Sequence, residues 1–327
     1  MVGSKWKKWL AAGLLGLTAA GFLAGCGTPQ EEQGKMKVGI VQIVQHPALD
    51  EANRGFVAAL DERGLKDKIE IDQQNAQGDQ SNLRSIANRF VSGKYALIGA
   101  ISTPAAQAMA SATSSIPIVG TAIADYETAK LMKSESSPDG NVTGTHDRAP
   151  LDQQLALIRK IQPHIKTLGI IYNSSEINSV VQAERLKEAC APFGIQVMEL
   201  TVTSVNDIQQ TAEQFIGKAD AVFIPTDNVI ASSIPTLIAV TNKGKIPVYG
   251  AEVGHVKSGA FASESISFYE IGHRAGEMAA DILEGKKKIQ DIPVEGPKET
   301  KLYINKHEME TLGISVPDDI LKQAEMI

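Results

Sequence analysis

From Lys37 onward the sequence runs through one pattern twice. Lys37–Gln42, Ile69–Gln73, Ala96–Ile101 and Ile116–Gly120 read as strands, with helices over Asp50–Arg63, Gln80–Ser92 and from about Pro104. The second series has strands at Leu168–Tyr172, Gln196–Thr201, Ala221–Ile224 and Ile246–Tyr249, with helices over Val180–Ala191, Ile208–Gly217 and from Val229. Val38-Gly39-Ile40 is answered by Leu168-Gly169-Ile170, and Ile116-Pro117-Ile118-Val119-Gly120 by Ile246-Pro247-Val248-Tyr249-Gly250, both 130 residues on. Thr103 is answered by Thr226, 123 residues on. Strands that alternate with helices pair in parallel and carry the helices on their faces. The duplication therefore predicts an α/β protein of two similar lobes. The body of about 290 residues is also longer than one core usually serves.

The N-terminus predicts a compartment. Lys5, Lys7 and Lys8 precede an uncharged apolar run from Leu10 to Gly25, too short and too rich in Ala and Gly for a comfortable membrane span. Leu23-Ala24-Gly25-Cys26 reads as a lipobox, so residues 1–25 are expected to be a cleaved signal peptide and Cys26 the lipidated new N-terminus. Residues 26–35 form a polar tether; its nine residues after Cys26 reach roughly 30 Å at most. The mature chain is thus expected outside the cytoplasm, lipid-anchored to the cell membrane. Cleavage leaves 29 basic against 38 acidic residues, a formal net charge of −9, which repels nucleic acid and gives no charge-driven hold on anionic lipid. Cys190 is the other cysteine of the mature chain, so with Cys26 lipidated no internal disulfide can form.

In an open parallel sheet, ligands bind beyond the carboxyl ends of the strands, where loops lead into helix N-termini. Two facing lobes place both rows of loops around one cleft. After the first strand come His46 and Pro47, a surface for a ligand or simply a stiff loop before Asp50 caps a helix. Ser102, Thr103 and Ala105 open a helix with Pro104 in its first turn, an arrangement that caps the helix or receives an anion. Tyr172, Asn173, Ser175, Asn178 and Ser179 crowd an aromatic ring, amides and hydroxyls between a strand end and a helix start. That density exceeds what one cap requires and suits a zwitterion whose carboxylate meets N–H and O–H groups. Thr226, Asp227 and Asn228 follow the next core strand, with Asp227 as cap, as partner for an ammonium, or both. Glu252, beyond the Tyr249-Gly250 strand end, is a second candidate for the cation.

The lipobox, Gly140-Asn141-Val142-Thr143-Gly144, Tyr172-Asn173-Ser174-Ser175-Glu176 with Asn178-Ser179, and Pro225-Thr226-Asp227-Asn228 together resemble the ABC-transporter substrate-binding lipoproteins of the tryptophan/tyrosine-type family. The likeness runs from Met36 to near the end of the chain. It implies a type I periplasmic-binding fold: two Rossmann-like lobes with parallel sheets, a ligand cleft between them, and three crossovers. By that analogy the crossovers fall near Asp147–Leu151, Ala262–Ser265 and Lys286–Pro293. The N-terminal lobe would then be 36–148 plus 264–286, and the C-terminal lobe 149–263 plus 287–327. The resemblance further implies a monomer that captures an aromatic amino acid by hinge closure and delivers it to an ABC permease with its cytoplasmic ATPase.

Other functions leave different marks. The chain has no G-x-S-x-G elbow, no G-x-x-x-x-G-K-[ST] loop and no G-x-G-x-x-G after the first strand, and His307-Glu308 lacks the second histidine of a zincin. The scattered histidines and single spare cysteine form no metal-ligand spacing, so neither catalysis nor a cofactor is expected. A receptor that signals on binding, or one for a solute other than an amino acid, would carry the same binding module.

Overall fold

A computed structural model describes residues 34–148 and 150–327. The signal segment, Cys26 and the tether as far as Gln33 lie outside the described residues. The first series is β1 (Met36–Gln42), α1 (Pro47–Glu62), β2 (Ile69–Asn75), α2 (Gln80–Ser92), β3 (Leu97–Ile101), α3 (Thr103–Ala112), β4 (Ile118–Ile123) and β5 (Val142–His146). The second is α4 (Leu151–Ile161), β6 (Thr167–Asn173), α5 (Ile177–Cys190), β7 (Gln196–Val202), α6 (Ile208–Ala212), β8 (Ala221–Ile224), α7 (Asn228–Ala231), α8 (Ile234–Thr241), β9 (Val248–Gly250), α9 (Val253–Lys257) and β10 (Ala262–Ser265). The chain ends with α10 (Phe268–Leu283), β11 (Lys301–Ile304), α11 (Lys306–Leu312), α12 (Asp318–Leu321) and β12 (Glu325–Met326). No helix among the described residues is long and apolar enough to cross a membrane.

The first sheet has strand order β2-β1-β3-β4-β5 and is parallel throughout. The second, β12-β11-β10-β9-β8-β6-β7, repeats that order from β7 to β10 and adds β11, antiparallel to β10, and β12. The repeated glycines have a packing reason. The Phe90 ring of α2 lies where a Cβ at Gly39 would be, and the Phe215 ring, just beyond α6, occupies the same place over Gly169. Each lobe thus sinks one aromatic ring onto the strand that begins its series.

Several boundaries differ from the sequence reading. Helix α1 starts at Pro47 rather than Asp50, because proline at the first helical position has the required φ already. Helix α5 starts at Ile177 rather than Val180, which puts Asn178 and Ser179 in its first turn. Strand β10 keeps Ser265 in the second sheet, so the second crossover is at Ile266–Ser267, later than Ala262–Ser265. The third crossover lies beyond Glu295 rather than at Lys286–Pro293. Ile292 is buried in the first lobe's core, and Glu295 bridges to Thr145 on β5 through His146 N–H to Glu295 O at 2.9 Å and Glu295 N–H to Gly144 O at 3.1 Å.

Helix α10 returns to the first lobe and lies against α1 at unusually close range. A Cβ at Gly272 would fall 2.0 Å from Ala52 O, one at Gly276 2.4 Å from Phe56 O, and one at Gly55 2.2 Å from Tyr269 O. Only glycine allows backbones this near. Gly272→Ala must push the helices apart and is expected to cost about 1–3 kcal/mol. Chemical denaturation would register this as a lower midpoint with an unchanged slope.

Candidate functional site

The loops at the carboxyl ends of both sheets meet at one narrow cavity between the lobes, with a volume of about 10 Å³. His46, Leu49, Thr103, Ala122, Ala124, Asp147 and Phe268 line it from the first lobe and the crossovers. Asn178, Thr226, Asp227, Asn228 and Glu252 line it from the second.

Half of the residues singled out in the sequence reach this wall: His46, Thr103, Asn178, Thr226, Asp227, Asn228 and Glu252. The others have different places. Ser102 is the buried N-cap of α3, its hydroxyl accepting Ala105 N–H at 3.4 Å, and Ala105 belongs to the first lobe's core. Pro47 faces a neighbouring groove with Tyr269. Tyr172 is buried toward α5, where its hydroxyl donates to Glu199 beside Lys187. The pleat of β6 therefore aims the ring away from the cleft. Asn173 Oδ1 is taken by the backbone N–H and hydroxyl of Ser175, and both residues border a separate crevice. Ser179 donates to Asp227 Oδ2 at 2.7 Å.

Asp227, the expected ammonium partner, is already occupied. Its Oδ2 also accepts Asn173 N–H at 2.7 Å, and its Oδ1 accepts Ile230 N–H at 2.8 Å, capping α7. Burial raises its pKa, against the pull of these donors. This carboxylate organises the second lobe's loops rather than waiting for a ligand.

Three other acceptors are buried, belong to residues of the cavity wall and have no hydrogen-bond partner among the described residues, His46 Nδ1, Asp147 Oδ1 and Asn178 Oδ1; a fourth, Glu252 Oε1, has His255 Nε2 at 3.1 Å. The Asn178 amide is oriented by its nitrogen, which donates to Thr226 O at 2.8 Å and Glu176 Oε2 at 3.1 Å, so the oxygen is left for the cavity. Burial, with the Glu252 charge beside it, pushes Asp147 up to about 7. Burial likewise lowers His46, outweighing the nearby Glu252. Burial opposes the Glu252 charge too, but His255, 3.1 Å away, holds its pKa below the usual range. Acceptors left bare in a dry site are costly, at about 1–3 kcal/mol each and more when charged. Such a set calls for a donor with several N–H groups. No cluster of three or more His, Cys, Asp or Glu side chains among the described residues has the geometry to hold a metal ion.

The rest of the wall differs in kind. Leu49, Ala122, Ala124 and Phe268 make it apolar on the first-lobe side. Thr103 stands at the N-terminus of α3, and Thr226 is gripped by Gln182, whose amide donates to its hydroxyl at 2.6 Å. Ser102 and Ala122 hold positive φ angles of 104° and 55°, strain of the kind that collects at binding sites. Asp147, Phe268, Leu49, Ala122 and Ala124 were not among the residues expected from the sequence. For Asp147 and Phe268 the available signal was their position at crossovers, which in a two-lobed protein border the cleft.

Residues 37–327 match the family described as ABC transporter substrate binding protein. The Tyrosine-binding protein of Clostridioides difficile (strain R20291) is 40% identical over 323 residues, covering 95% of this chain and 93% of that protein. A Streptococcus pneumonia ABC domain solved in complex with L-Trp is 38% identical, with a TM-score of 0.86 over 89% of this chain and 99% of its own. A ligand-free, open structure of a Clostridium difficile substrate-binding protein with adhesive properties is 41% identical over the same shares, yet its TM-score is 0.68. The lobes here are therefore arranged more as in the L-Trp complex than as in the open form.

The Asp147 carboxyl sets a pH dependence. Its folded pKa of about 7 lies above the ordinary carboxylate value. The stability it contributes is thus complete below about pH 4 and lost as pH rises through 7. Asp147→Asn removes that loss, which is at most about 4 kcal/mol and smaller if the lobes part and hydrate the group. The ligand-free variant is expected to melt above the parent at pH 8, with the gap closing toward pH 4. A gap independent of pH would contradict the assignment.

Proposed function

The chain belongs to the ABC transporter substrate-binding protein family, and on that premise we propose that it captures an aromatic amino acid between its lobes for an ABC importer. The observation that carries this reading is a set of four buried acceptors, three of them unpartnered, facing an apolar wall. The ligand's ammonium would sit among Asp147, Asn178, Glu252 and His46, which supply more acceptors than its three N–H groups need. Its carboxylate would meet the N-terminus of α3 at Thr103, where backbone N–H groups and the helix dipole favour an anion. The aromatic ring would lie along Phe268 and Leu49. The names of the C. difficile and S. pneumonia relatives support the ligand class.

The mechanism follows from the same groups. In an open form Asp147 and Glu252 are solvated. Closing the lobes empty strips water from both carboxylates, whereas closing them on an ammonium neutralises that charge. The ligand thus favours the closed form through its differential interaction with the two. No step makes or breaks a bond in it. The lipobox at Leu23–Cys26 and the apolar run before it support a lipoprotein held outside the cytoplasm, and the family supports delivery to a permease with its cytoplasmic ATPase, which we propose it serves as a monomer.

Thermal unfolding against the twenty amino acids tests the ligand class. A ligand at about a thousand times its Kd stabilises by roughly 4 kcal/mol. For a body this size that raises the midpoint on the order of 7 °C. Tyrosine, tryptophan or phenylalanine should give the largest shift, and Glu252→Gln should reduce it strongly. A flat response to all three would sink the aromatic assignment.

A further inference from the structure

His46 Nδ1 can accept a ligand N–H in only one of the ring's two neutral tautomers. Glu252 alone would favour the wrong one, since a carboxylate beside a ring nitrogen draws the proton to that nitrogen. A chain of groups from the other lobe opposes it. Asn228 Nδ2 donates to Glu176 Oε2. An amide nitrogen has no lone pair to accept with, so this contact turns Asn228 Oδ1 toward the first lobe, 3.3 Å from His46 Nε2. An amide oxygen cannot donate. The proton of a neutral ring is then on Nε2, and Nδ1 is bare, 3.8 Å from Glu252 and without a partner among the described residues. Burial keeps the ring neutral.

Glu176 itself is buried and stands outside the cavity wall. It is the N-cap residue of α5, yet its side chain makes no cap bond to that helix. Its oxygens instead accept from the backbone N–H groups of Asn228 and Val229, both at 3.3 Å, as well as from the Asn228 and Asn178 amides. Each of those amides presents its oxygen elsewhere: Asn178 to the cavity, Asn228 to His46. One carboxyl group, its pKa raised to about 8 by burial and the nearby Asp227, orients both.

We propose that Glu176 is a positioning residue that, through Asn228, sets the tautomer of His46 across the lobe interface and makes it an acceptor for the ligand's ammonium. The inference rests on the amine-ligand reading and deepens it. Because His46 and Asn228 come from different lobes, the relay is complete only when the lobes are closed. The first lobe's histidine is thereby enlisted at the moment of capture.

The test is nitrogen-15 NMR of the histidine rings in protein saturated with L-tyrosine, with His46 assigned by comparison with His46→Gln. The expected spectrum has the proton on Nε2 and an unprotonated Nδ1. In Glu176→Ala the Asn228 amide loses the acceptor that orients it, so it can turn its nitrogen to His46 and the proton moves to Nδ1. The Kd for L-tyrosine should then rise by about tenfold, and Glu176→Asp should recover part of the loss. A merely structural role would weaken binding without moving the ring proton. A proton on Nδ1 in the parent, or an unchanged tautomer in a folded Glu176→Ala, overturns the proposal. If that variant does not fold, Asn228→Ala replaces it, with the same shift of the proton to Nδ1 expected. Failure of the parent to bind L-tyrosine would count against the functional reading instead. The same spectra taken on the complex with whichever amino acid does bind would still decide the relay, since a His46 that ignores Glu176→Ala there overturns it.

Discussion

Two carboxyl groups, an amide oxygen and an imidazole nitrogen converge on a space from which water is nearly excluded, and among the described residues only His255, 3.1 Å from Glu252, is placed to donate to any of these atoms. Packed apolar groups would leave such a region stable by itself; these acceptors leave it in deficit until a donor arrives. The deficit is local, because the neighbouring Asp227 and Glu176 are fully engaged by N–H and O–H groups from their own lobe. The second lobe's loops are therefore rigid around a site that is incomplete. That contrast links the cavity's chemistry to the closure of the lobes on the proposed reading.

The duplicated architecture explains why the groups meet. Each lobe begins with a strand whose glycine admits a phenylalanine ring, Phe90 over Gly39 and Phe215 over Gly169. Each then places a threonine after its third strand, and Thr103 and Thr226 line the same cavity from opposite sides. What the repeat does not supply comes from the crossovers. Asp147 follows β5 where the chain first leaves the first lobe, and Phe268 begins α10 where it returns. The glycine-mediated contact of α10 with α1 fixes that return. A charged group and an aromatic wall thus enter a nearly symmetric cleft at the positions where symmetry ends.

Much of this was legible in the sequence because βα repetition and strand-end loops follow simple geometry. The fold class, the order of elements and seven of the cavity residues came from that rule. It failed where the direction of a side chain mattered. Tyr172 sits at a strand end, but alternation along β6 turns it toward α5 and Glu199. Asp227 has the right location, yet three local donors consume it, which sequence spacing cannot reveal. Asp147 was passed over because a crossover carries no periodic pattern. The later crossovers shifted for a related reason: short strands such as β10, and the single bridge of Glu295 to Thr145, are tertiary choices without a strong local signal.

The central claim is that a ligand's ammonium completes this site, and it can be isolated by removing one group from the ligand. Titration calorimetry would compare L-tyrosine with its des-amino analogue, 3-(4-hydroxyphenyl)propionate, which keeps the ring and the carboxylate. A site built to be satisfied by N–H donors rejects the analogue lacking them by a factor on the order of a thousand or more. Strong binding of L-tyrosine with weak or undetectable binding of the analogue is the predicted result. Comparable affinities for the two would contradict it, because the four acceptors would then be no part of recognition.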